Sequence, residues 1–388
     1  MSVQHIRMAQ SCAMETRQAV EEFHAAMAQP NMELVVFFCS SEYDLDVLAA
    51  EMNRLFAGIQ VVGCTTAGEI GPAGYHQHSL SGASFPAGSC VAVSGRLDHL
   101  SQFDIARGHD FVQTLLQRLE SRVPQAGPDN SFAFMLIDGL SLREEPVAHA
   151  LQYALGKIPL IGGSAGDDQR FAKTFVYSDG RFHSDSAALI LINTSLPFRV
   201  FKTQHFVPTD KRLVVTEADP AKRIVKEING LPAAEEYARL VGIDVHELNP
   251  MRFAASPVVV MIGGTDYVRS IQKANADGSL TFFCAIEDGV VLRVAHGVDL
   301  VNNLEQTFDK IRAEIGQPQL VFGCDCILRN LEIIQNGLKD RVEEILQRNN
   351  TIGFSSYGEQ FYGVHINQTL TGIAIGTAPE PIRTVRDV

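Results

Sequence analysis

Residues Gly162 to Gly166 read GGSAG, a match to G-x-S-x-G, the turn that lifts a hydrolase serine above a sheet. That chemistry needs a helix directly after Ser164. The following DDQRFAKTFVYSDG reads as loop and then strand, so the segment is read as a tight glycine turn. Cys324 and Cys326 form a CDC pair, half of a metal site. A structural zinc takes four ligands and no second pair exists, so small buried thiols on a strand are expected. His76 and His78, in YHQH, are read as a solvated loop. There is no P-loop, no G-x-G-x-x-G after a strand, no H-E-x-x-H and no C-x-x-C-H for covalent haem attachment. No titratable pair stands out as an acid–base couple, so an enzyme of unknown class ranks last among the readings.

A different pattern carries more. VVGCTTAGEI (61–70), LIGGSAGDD (160–168) and TIGFSSYGE (351–359) are one phrase written three times. Each passes from apolar to small residues and then reaches a carboxylate, at Glu69, Asp167 and Glu359. Upstream of each lies a run rich in Val, Leu and Phe, a polar turn, and apolar residues at helical spacing. Leu45, Leu48, Ala49, Met52 and Leu55 share one helical face, as do Val342, Ile345 and Leu346. The phrase itself supplies the next strand. Each copy is therefore a β-α-β unit with parallel strands. Further extended runs follow each copy, and YSDGR and ANADGSL are turns between strands. The fold predicted is α/β: mixed-direction sheets built from repeated β-α-β units plus hairpins, in two halves. The boundary is placed near NTSLPFRV, giving 1–197 with two repeats and 198–388 with one. The stretch from about 202 to 296 reads as mostly extended.

The chain has 388 residues, 46% hydrophobic and 20% charged, enough for a sizeable core. Its net charge of −13 argues against nucleic acid, which is bound by displacing counterions with cations. No apolar run nears the roughly 18 residues that span a bilayer. The N-terminus has no apolar h-region, so no secretory signal is expected. Seven cysteines without a C-x-x-C pair are read as reduced thiols of a cytoplasmic protein.

VVGCTTAGEI with GYHQHSLSGASF resembles the N-terminal half of the FIST domain, a sensory module of bacterial signalling proteins. GGSAGDDQRFAKTFVYSDGRFHSDSAALILI is similar to the end of that half. RLVVTEADPAKRIVKEINGLPAAEEY, YVRSIQKANADGSLTFFCAIEDGVVLRV and TIGFSSYGEQFYGVHINQTLTGIAIG resemble successive parts of the FIST C-terminal half. The resemblance implies a ligand sensor in signal transduction. With Val388 soon after the second half, a separate output protein is expected. Stand-alone FIST proteins that sense nitric oxide through haem and regulate a partner histidine kinase resemble this chain in KTQHFVPTDKRLVVTEAD. Where many FIST domains carry a Gly-Trp/Cys-Arg-Pro type of sequence, this chain has His205-Phe206-Val207-Pro208.

That resemblance makes His205 the candidate proximal ligand of a noncovalent haem b. Phe201, Phe206 and Val207 would be its apolar surroundings, with Lys202, Lys211 and Arg212 within reach of the propionates. His296 and His365 are reserve ligands; His24, His149 and His183 are weaker, and Cys64 and Cys284 are read as buried residues. An alternative keeps the fold without haem. A FIST module binding an amino acid or other small metabolite would use Glu69, Asp167 and Glu359 for an ammonium group and Arg269 for a carboxylate.

Overall fold

The computed structural model describes residues 5–377. Each repeated phrase ends a unit of one plan. In the first unit an edge strand, Arg7–Ser11, pairs antiparallel with a closing strand, Leu80–Pro86, which pairs with a central strand, Met32–Ser40. That strand runs parallel to a second central strand, Gln60–Thr66, across the helix Leu45–Leu55. The second unit repeats this with Cys90–Leu97, Ala187–Thr194, Ser131–Ile137 and Leu160–Ser164. The third does so with Phe198–Thr203, Leu370–Ile375, Leu320–Cys326 and Thr351–Ser356.

Between its second central strand and its closing strand, each unit throws out a short hairpin, and no unit keeps its own. The hairpin Glu69–Gly71 with Gly74–His76 completes the sheet of the third unit. Val176–Ser178 with Arg181–His183 completes the first, and Glu359–Phe361 with Val364–Ile366 completes the second. Three six-stranded sheets of mixed direction result, linked in a closed ring. The chain passes from the second unit to the third between Thr194 and Phe198, and two of the exchanged hairpins cross that point.

The ring explains the unbroken apolar runs. Each sheet turns one face inward to a shared core and covers the other with its own helices. A strand buried on both faces loses the polar alternation of a half-exposed one. At the centre Phe38 stacks on Phe354 at 4.7 Å and Phe134 on Phe322 at 5.2 Å, one ring from the first unit, one from the second and two from the third.

The third unit differs twice. Its connection contains a helix at Ile327–Gln335 before the expected one at Lys339–Arg348. A polar turn is expected between strand and helix here; instead Ile327, Leu328 and Ile333 are buried and form the apolar face of the added helix. The second difference is an insertion between the edge strand and the helix Leu300–Ile315. Residues 206–297 form an eight-stranded antiparallel sheet with short helices and a core of their own. This cap joins the ring through a two-stranded neck, where the Val298 N–H donates to the His205 carbonyl at 2.8 Å.

Candidate ligand site at the seam between ring and cap

The three phrases meet at the centre of the ring. The Gly166 N–H donates to the Thr65 carbonyl at 3.0 Å, the Ala67 N–H to Ser355 at 2.9 Å and the Tyr357 N–H to Ser164 at 3.2 Å. Each unit thus donates to the next, in a closed cycle at the C-terminal ends of the parallel strands. That end of an α/β sheet is where ligands characteristically sit. The cap covers it: Ala254 and Phe283 of the cap pack with Ala67, Leu140, Phe171 and Tyr357 of the ring turns. A small cleft of about 60 Å³ remains, lined by Leu140, Phe171, Arg223, Gln272, Phe283 and Tyr357 among others. Tyr357 stacks on Phe171 at 4.5 Å, and its hydroxyl is fixed by Asp167.

Ionic contacts tie the cap down. Arg223 of the cap, 5% exposed, reaches Glu144 and Glu145 at 2.7 Å each. Glu145 also accepts from the Ala285 N–H at 2.8 Å. Both carboxylates lie in the first turn of the helix Glu144–Leu155, where the helix dipole favours negative charge. Burial pushes Glu144 up to about 7 against the pull of Arg223. Burial alone would raise Glu145 too, but His365 and Arg223 outweigh it and hold that carboxyl down to about 2.

Beside this cluster the exchanged hairpin of the third unit meets the cap. An Arg269 Nη1–H donates to the His365 carbonyl at 2.6 Å, and the Ser270 hydroxyl donates to Gln368 at 2.9 Å. Gln360 Nε2 donates to the Ser164 hydroxyl at 2.9 Å and faces His365 Nδ1 at 3.2 Å. That contact leaves the imidazole proton on Nε2. Burial pushes His365 down to about 4, so the ring is neutral at pH 7.

Three side-chain atoms here have no hydrogen-bond partner of good geometry: Gln360 Oε1, His365 Nε2 and Asn367 Nδ2, on residues 0%, 1% and 0% exposed. The Phe283 carbonyl leans toward the imidazole without closing an ordinary hydrogen bond. Each such orphan costs about 1–3 kcal/mol if nothing satisfies it. Together they offer two donors and one acceptor in a buried, low-dielectric setting with the Arg269 guanidinium alongside. That chemistry suits holding a small polar molecule.

The expected site residues fall in several places. Glu69 and Glu359 are fully buried and clamped identically. Glu69 accepts from Thr66 Oγ1 and from the Ser79 hydroxyl and N–H at 2.9 and 3.0 Å. Glu359 accepts from Ser356 at 2.6 Å and from the Thr369 hydroxyl and N–H at 2.8 and 3.3 Å. Asp167 accepts from Tyr357 and from the Ala172 and Lys173 N–H groups at 2.9 and 2.8 Å. These carboxylates therefore hold their own turns, and of the four residues named for a small ligand only Arg269 reaches the orphan cluster. Ser164 is fully buried and is followed by loop.

The residues expected around haem do not share a pocket. Phe201 packs on Phe308 and Phe206 on Val259, Val268 and Ala295. Lys211 donates to the Leu240 carbonyl at 2.6 Å, and Arg212 is exposed on the long cap strand Phe206–Asp219. His205 is 2% exposed, with Nε2 held by the Glu332 carboxylate at 2.8 and 3.1 Å and its ring 4.1 Å from Phe206. An iron ligand needs that nitrogen lone pair and an open face beyond it. As arranged, these residues do not fit a haem: the open pocket expected at His205 is filled by Glu332 and Phe206.

His296 is exposed, and His183 Nε2 contacts Arg96 at 2.6 Å. Burial raises the Cys64 thiol and pushes Cys284 up to about 12, so neither is a ready thiolate. His78 bonds Glu42 at 3.1 Å, and Cys324 and Cys326 are buried in one strand. Among the described residues no cluster of three or more His, Cys, Asp or Glu side chains could hold a metal ion. No helix among them is long and apolar enough to cross a membrane.

The boundary between two matching family models falls inside the insertion. The FIST N domain matches residues 33–231 and the FIST C domain residues 233–362. The chain belongs to the FIST family, whose domains are sensors of signal transduction that bind small ligands. It is similar to an uncharacterized protein of Methanocaldococcus jannaschii, 24% identical over 383 residues, covering 87% of this chain and 73% of that one. Among solved structures it has a distant likeness to a cyanuric acid hydrolase: TM-score 0.33 and 11% identity, over 51% of this chain and 71% of that one. A likeness that distant carries no argument.

Proposed function

We propose that this protein is a cytoplasmic small-ligand sensor whose ligand, an amino acid or similar small metabolite, binds at the seam between ring and cap. The observation that supports this is the orphan trio beside Arg269. A ligand carboxylate would accept from His365 Nε2–H and Asn367 Nδ2–H and pair with the guanidinium; a ligand amine would donate to Gln360 Oε1. The trio lies buried beside that cleft and does not line it, so binding would require the cap to shift, which is the two-state event a sensor transmits. A separate histidine kinase is the output partner that the resemblance to stand-alone FIST sensors suggests; the ligand would change its autophosphorylation when the two proteins are mixed.

Calorimetric titration with each of the twenty protein amino acids tests the reading. Binding by at least one is expected, weakened at least tenfold by Arg269→Gln and by Asn367→Leu. No binding by any of them, or binding indifferent to both changes, would remove the seam as an amino-acid site. Nitric oxide sensing through haem is the second reading, supported by the family resemblance and not by the arrangement at His205. It requires Glu332 to release His205 Nε2. Haemin added to the protein would then give a strong band at about 400 nm that His205→Ala abolishes; an unchanged spectrum in that variant would end it.

A further inference from the structure

A larger cleft lies outside the seam, where the edge strand Phe198–Thr203 passes the helix Leu300–Ile315 and the tip of the third unit's hairpin. Its volume is about 310 Å³, within the range of about 300–1,000 Å³ usual for small-molecule pockets. The walls are of two kinds. Val200, Phe201, Ile311 and Phe361 are apolar, while Arg199, Lys202 and Lys310 bring three cations against one acid, Glu314. Arg199 and Glu314 satisfy each other at 3.1 Å.

Lys202 and Lys310 have no carboxylate partner among the described residues. Lys202 lies 4.2 Å over the Tyr267 ring of the cap, a contact that stabilises the cation but does not neutralise it. The nearby Asp266 is already engaged by Arg293 at 2.8 Å. Burial, with Arg269 close by, pushes the Lys202 ammonium down to about 8. Two ammonium groups without a carboxylate partner therefore share a cleft with apolar walls.

We propose that this cleft is a second ligand site, for a small amphipathic carboxylate whose head lies between Lys202 and Lys310 and whose tail covers the half-buried Val200 and Phe361. Its place gives it leverage on the cap. The same edge strand runs into the neck three residues after Lys202, and Lys202 itself touches the cap through Tyr267. The inference is independent of the seam, since the two sites share no ligand-contacting residue.

The probe is octanoate, titrated into the full-length chain by calorimetry, with octanol matching the tail and acetate matching the head. Each methylene removed from water adds about a fourfold gain in affinity, so a tail of that length discriminates. Saturable binding of one octanoate is expected, with octanol and acetate at least tenfold weaker. Lys310→Glu, on an exposed helix face, should weaken octanoate at least fivefold without changing the melting temperature, and Lys202→Met should do the same if it folds. The proposal is overturned if octanoate does not bind, if octanol binds as well, or if Lys310→Glu binds octanoate like the parent.

Discussion

Glu69 and Glu359 occupy the same place in two copies of one turn, each held by a hydroxyl three residues before it and a residue ten positions after it. Burial raises Glu69 well above the usual carboxyl range and pushes Glu359 up to about 8, with the serine and threonine hydroxyls pulling the other way. The folded chain thus keeps a proton on Glu359 that the unfolded chain releases above 4.5. Its contribution is full below 4.5 and is lost as pH rises through about 8. Glu359→Gln should gain on the parent across that window, by up to about 1.4 kcal/mol per pH unit, read from denaturant melts at several pH values. His365 has the opposite sign. Its folded value of about 4 lies below 6.5, so its contribution is present above 6.5 and lost as pH falls through 4. His365→Gln should flatten the acid limb of the same curve. The carboxylate that ends each phrase was legible in the sequence; its role was not, because burial and partners decide between a ligand grip and a turn clamp. The same holds for His205, whose partner Glu332 lies 127 residues away.

At the scale of elements, the exchanged hairpins bind the units together through buried polar contacts. Tyr75, on the first unit's hairpin, donates to Asp325 of the third unit. Arg329, 1% exposed, reaches both oxygens of that carboxylate at 2.9 Å. Asp325→Ala would strand a buried guanidinium and should cost about 3–5 kcal/mol, read as a lower denaturant midpoint. The phrase's first glycine has an equally local reason. At Gly353 a methyl would press into the Gly323 carbonyl of the parallel neighbour, and at Gly162 into the Met135 carbonyl. Gly353→Ala should destabilise by about 1–3 kcal/mol in the same assay. The β-α-β units could be read from the sequence because their periodicities are local. The helix Ile327–Gln335 was missed because an apolar strand runs straight into it. Which sheet each hairpin joins has no local signal, since its partners lie more than a hundred residues away in every case.

At the scale of the molecule, the threefold ring is the seat and the 206–297 insertion is the part that the proposed ligand would shift on it. The ring has a continuous aromatic centre, whereas ring and cap meet through a neck, one ionic cluster and a seam containing unsatisfied atoms. Free energy is therefore left unclaimed where the proposed ligand could recover it, and its binding would then be coupled to a change in the cap. The most direct test is hydrogen exchange of the full chain with and without the amino acid that binds in calorimetry. Slower exchange is predicted in 267–271, 283–286 and 359–368, the segments on both sides of the seam. Protection confined to other segments, or none at saturation, would contradict a ligand site between ring and cap.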